Sequence, residues 1–270
     1  MSVIEFLPLK IINLVMLMGT LVSNYLTIDV SSIPNSPFKP IGNISDEYGT
    51  SLTPPGWAFS IWGVIYTGLV LFCICQFIPQ LDLNKQVKDI SILFILSCVF
   101  NIAWIFTFSM GTPVSISASV FIIIGLLSSL LFIQGKVGFF SSGSSIYKIL
   151  FVDIPFSIYL GWVITASLLN IGTAFKAYNI FDGSDILFYI IMLIIAFIIY
   201  VLLLSFRNNY GSYIVFFYVL IALCIKHKDN GLMLGIPVTL LVLSVICLLL
   251  KIFLPFCKRL QSRSIEFRLP

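Results

Sequence analysis

The sequence predicts an all-α, polytopic membrane protein, and three observations carry that reading. Of 270 residues, 59% are hydrophobic and only 10% charged, and mean hydropathy is +1.10. Soluble domains carry roughly 25% charged residues, so this chain has too few charges to cover a water-facing globule. Its apolar residues also gather into eight runs, most of them near the ~20 residues that a bilayer-crossing helix needs.

The first run, 9–28, carries Lys10 at its start, ahead of the apolar stretch Ile11 to Ile28. It is longer than a typical signal-peptide core and has no convincing small-residue cleavage site, so it reads as a retained span. A long loop, 29–53, follows, carrying Pro34, Pro37, Pro40, Gly42 and Gly49. In ordered form it is expected to act as a lid over the bundle mouth. Asn43-Ile44-Ser45 in this loop makes Asn43 a glycosylation candidate. The turn Thr53-Pro54-Pro55-Gly56 opens the second run, 57–78, because proline suits a helix start, where the first amides lack partners.

The third and fourth runs, 90–110 and 114–134, flank the tight turn Gly111-Thr112-Pro113 and should form an antiparallel hairpin. A Gly/Ser-rich connector, 135–145, leads to the fifth run, 148–171. Three more follow at 185–206, 211–226 and 232–254, the seventh being short for a span. No internal repeat supports an inverted-repeat transporter.

Charge placement orients the bundle. Of 15 basic residues, 11 fall at the N-terminus, on alternate loops and in the tail, against four on the other side (Lys39, Lys176, Lys226 and Lys228). The positive-inside rule then puts both termini in the cytoplasm. Dispersed basic residues give no nucleic-acid footprint, and the expected partner is the lipid bilayer, with a homo-oligomer also open. The six cysteines lack metal-ligand spacing and a disulfide framework. Cys257, beside Lys258 and Arg259, reads as a free thiol.

Three runs place polar or aromatic residues at helical spacing. Trp62 and Tyr66 stand four apart on the second, with Trp57 at its start. Asn101 and Trp104 share a face of the third, together with Phe108. Trp162, Ala166 and Asn170 repeat every four residues on the fifth, below Tyr159. Convergent rings and amides suggest a pocket wall, in which Asn101 and Asn170 need partners on a helix or a ligand. The same residue types also anchor helices at bilayer interfaces and tie helices together.

Asp153, the acid within a span, suggests either an ion path or, at a shallow depth, a reach to headgroup water or Lys148. The single histidine, His227, falls in the polar loop Lys226-His227-Lys228-Asp229 and is expected to be solvated. With no histidine in the bundle, nucleophile–histidine dyads and haem ligation are not expected. The chain therefore reads as a non-enzyme without a resident cofactor.

Pro54-Pro55-Gly56-Trp57 with Trp62 and Tyr66, Asn101-Ile102-Ala103-Trp104, and Trp162 through Asn170 resemble the TspO/MBR family of tryptophan-rich sensory or translocator proteins. The resemblance covers roughly residues 13–173, and the later runs look like a longer branch of that family. It implies a five-helix bundle over 1–176 with a pocket beneath the first loop, taking apolar or planar ligands such as porphyrins and sterols, followed by further membrane helices over 177–256 and a basic tail over 257–270. It also implies that Trp104, Asn170 and the face around Trp162 and Ala166 are pocket positions. The family's sterol motif is not intact, because Lys176 and Tyr178 stand in the wrong order. The expected role is ligand binding with sensing or translocation. A solute or ion carrier and a membrane scaffold subunit are the alternatives.

Overall fold

A computed structural model describes residues 6–31, 36–180 and 185–266, with side chains beyond Thr27 in the first helix and beyond Phe253 left out. Pro34 and Arg268 lie outside the described residues, as do the side chains of Cys257, Lys258 and Arg259. The helices are α1 (Leu7–Ser31), α2 (Ile41–Glu47), α3 (Ile61–Cys75), α4 (Asn84–Ser109) and α5 (Pro113–Val137). They continue with α6 (Ile146–Ala177), α7 (Ile186–Arg207), α8 (Tyr210–Lys226) and α9 (Gly231–Glu266). Among the described residues seven helical segments are long and apolar enough to cross a membrane, α3 counting together with the 3-10 turn Gly56–Ser60 before it, and α8 is a shorter apolar helix. The helical polytopic fold is therefore as the composition predicts.

Element ends follow local chemistry. A 3-10 turn, Gly56–Ser60, links the Pro54-Pro55 pair to α3. At α5, Thr112 and Ser115 form a reciprocal capping box ahead of Pro113, satisfying two amides. Gly111 adopts φ +63°, and a Cβ there would lie 3.1 Å from the Lys39 side chain. Glycine thus serves both the turn and the docked first loop. Helices also outrun their apolar runs: α4 begins at Asn84 and α9 continues to Glu266. Hydropathy marks the hydrocarbon-facing portion, whereas helical hydrogen bonding extends through polar flanks such as Lys85 and Lys88.

Helix α6 is the axis of the molecule. It packs against α3, α5, α7 and α8 and is buried on nearly every side. Small residues permit this closeness. A Cβ on Gly161 would meet the Ser212 backbone at 2.8 Å, and one on Gly68 would meet Pro155 at 3.0 Å. Residues Ile149–Asp153 of α6 adopt π geometry. Pro155 has no amide to donate to the preceding turn, so the ladder there must widen.

Buried polar groups fasten the helices. At one end Asn13 on α1 donates to Gln76 Oε1 (3.0 Å) and Ser91 Oγ (2.9 Å), joining α1, α3 and α4. Three tyrosines tie α7–α9 together and to α6. Tyr200 donates to Gly161 O, Tyr213 to Ser244 O and Tyr189 to Met233 O. In a lipid setting such bonds supply the specificity that apolar packing alone lacks.

A candidate ligand cavity beneath the first loop

Helix propensity and spacing bring three indoles together. Trp62 on α3 lies 5.5 Å from Tyr66, nearly parallel to it, as their four-residue interval requires. Trp62 is also 6.2 Å from Trp104 on α4 and 6.3 Å from Trp162 on α6. Phe59 meets Trp162 edge-on at 5.7 Å, and Phe108 stacks on Trp104 at 5.3 Å. Aromatic quadrupoles favour these offset and edge arrangements.

The rings border a cavity with Ala166, Leu169, Asn170 and Thr173 of α6 on one side. Ile41 and Ser45 of α2, with Thr53, cover it. The first loop therefore sits over the aromatic cluster as a lid. The free volume is about 30 Å³, enough for a water or two.

Asn170 Oδ1 accepts from Trp104 Nε1 at 2.8 Å and from Ser119 at 3.1 Å, while its Nδ2 donates to Ile116 O. This fixes the plane of Trp104. Trp162 is different: its ring is fully buried, and its Nε1–H has no hydrogen-bond partner in the protein. An orphaned donor costs about 1–3 kcal/mol, so the cavity wall holds one unmet bond.

Five of the eight residues singled out from the sequence line this cavity: Trp62, Trp104, Trp162, Ala166 and Asn170. Tyr66 and Asn101 lie beside it rather than in its wall. Asn101 donates to Tyr159 OH at 3.0 Å, and Tyr66 OH is 3.5 Å from Asn101 Oδ1. These groups support the Trp62 ring, since Tyr159 also lies 6.2 Å from it. Trp57 is half exposed and meets Tyr218 of α8 edge-on at 5.6 Å. Five positions and a 3-10 turn separate it from Trp62, which rotates it out of the cluster. Phe59, Leu169 and Thr173 were not anticipated, although their spacings of three from Trp62 and of three and seven from Ala166 mark the same faces.

One further expectation changes and another is narrowed. His227 is not solvated: it is 8% exposed, and its Nε2 lies 2.8 Å from Ser51 O, so that nitrogen carries the proton. Asp153 pairs with Lys148, one of the two partners its position suggests, rather than with headgroup water. Its carboxylate is fully buried, 2.7 Å from Lys148 Nζ, and it also accepts from the Phe140 amide at 2.9 Å. Asn43 is exposed on α2, while Ile44 beside it is fully buried. Among the described residues no group of three or more His, Cys, Asp or Glu could hold a metal ion.

Apolar helices packed around an aromatic cavity define a polytopic helical membrane protein. The chain belongs to the TSPO-like protein family, whose sequence profile matches residues 10–253. That match includes α7, α8 and the membrane portion of α9, beyond the five-helix stretch that carried the motif resemblance. No curated protein and no solved structure matches the chain.

Proposed function

We propose that this protein binds an amphipathic or planar apolar ligand, porphyrin-like or lipid-like, in the cavity beneath the first loop, and that binding serves a sensing or translocation role. The observation that carries this reading is the convergence of Trp62, Trp104 and Trp162 around a shared space, with the indole N–H of Trp162 buried and unpaired. Indole faces suit a flat π-system, and the Trp162 N–H suits a carbonyl or carboxylate on it.

Ligand pockets usually offer about 300–1,000 Å³, far above the 30 Å³ found here. On this reading the small volume is that of a closed form, and α2 lifts to admit the ligand. The carrier reading through Asp153 has less support, because Lys148 and the Phe140 amide already satisfy that carboxylate.

The test is protoporphyrin IX titrated into nanodisc-reconstituted protein, followed by tryptophan quenching. Saturable quenching is expected. Ala166→Leu, which fills the cavity, should weaken binding at least about tenfold, the scale of a buried side-chain clash. Trp57→Phe should leave affinity unchanged. Equal affinity for wild type, Ala166→Leu and Trp162→Phe would remove the cavity as the site.

A further inference from the structure

We infer that α7 and α8 form a latch on the trailing end of the lid, so that the C-terminal helices govern opening of the cavity. The inference is carried by residues 50–53, each of which is gripped by these helices or by α6. Ser51 donates through its amide and its hydroxyl to the two carboxylate oxygens of Asp185, both at 2.5 Å. Its carbonyl accepts from His227 Nε2. Lys226 Nζ donates to Thr50 O at 2.8 Å and Thr53 O at 2.6 Å. Leu52, 4% exposed, borders a small cavity together with Leu168 of α6, Leu193 and Ala196 of α7, and Phe216 and Val219 of α8. Thr50 also lies over Gly172 of α6, where a Cβ would sit 3.4 Å from its hydroxyl, in near-ordinary contact.

The lid therefore has two anchors of different kinds. Its leading end is held by α4, where the Lys39 amide donates to Ser109 O at 2.7 Å and Phe38 meets Phe106 at 5.7 Å. Its trailing end is held largely by Asp185, Lys226 and His227, which lie after the five-helix stretch. Thr53 belongs both to this clamp and to the cavity wall, so release of the clamp acts directly on the space beneath. Charge-assisted bonds are stronger than neutral ones, yet at a membrane edge water can replace them. Such contacts give a closure that can be broken.

As control of ligand access, the latch rests on the cavity reading; as a control of lid motion, it can be tested without any ligand. Amide hydrogen exchange of nanodisc-held protein is measured for wild type, Lys226→Met and Asp185→Asn. Exchange across 41–53 should rise about tenfold in each variant, as expected for loss of a charge-assisted bond. Amides of α4 and α5 should keep wild-type rates, and Lys226→Arg should restore protection. Wild-type exchange at 41–53 in both variants, or equal acceleration in α4 and α5, would overturn the latch. Protoporphyrin IX association should also quicken in both variants. If no form binds protoporphyrin IX while lid exchange still rises, the latch stands and the ligand assignment falls.

Discussion

At the scale of single residues, buried polar atoms decide more than the rings they accompany. Asn170 is the clearest case, holding Trp104 and Ser119 at once. Asn170→Leu should destabilise the protein by about 1–3 kcal/mol, since it leaves the Trp104 N–H without its acceptor. A thermal-unfolding series in detergent measures this. Lys148 presents a sharper version, because its partner Asp153 has no exposure to solvent. Lys148→Met should cost about 3–5 kcal/mol by stranding that carboxylate. Adding Asp153→Leu should recover part of the loss, though not all, because the Phe140 amide then loses its acceptor. No recovery in the double variant would mean that the pair is not coupled.

At the scale of elements, apolar runs made the helices legible and spacing made the cavity wall legible. Trp162, Ala166 and Asn170 fall on one face at four-residue intervals, and the structure places them together. What stayed hidden depends on pairs distant in sequence. Nothing around Ser51 announces Asp185, and nothing around His227 distinguishes a solvated loop from a buried contact. The lost symmetry of Trp57 comes from a 3-10 turn whose twist a helical wheel does not carry. Helix packing was hidden for the same reason, because a glycine's neighbour across the interface leaves no local mark. Gly161→Val should push α8 off α6, costing about 1–3 kcal/mol by overpacking, with Tyr200 losing its Gly161 carbonyl contact. Intact stability in that variant would show that the interface can yield.

At the scale of the whole molecule, the lid end is the place where acidity acts. Burial, the largest cause, pulls the His227 imidazole below its ordinary value of 6.5, and the charge of Lys226 adds to this. The Ser51 carbonyl and Asp185 work in the opposite direction, and the Tyr189 ring packs 5.3 Å away without a charge. A lifted lid returns the imidazole toward 6.5, so on acidification the open form takes up the proton first. Closure is thus fully favoured above 6.5 and weakens as pH falls from there toward the lowered value. Exchange across 41–53, corrected for intrinsic rates, should be faster at about pH 5.5 than at about pH 7.5. His227→Gln should abolish the difference, and an unchanged difference would assign it to another group. The indole cluster has an optical consequence. Trp62 lies 6.2 Å and 6.3 Å from its two indole neighbours, close enough for their excited states to mix, whereas Trp57 stands apart at the surface. The near-ultraviolet dichroism of this protein should therefore carry a coupled signal from three chromophores, which fades when their mutual packing loosens, while Trp57 emits as an independent dye facing the surroundings.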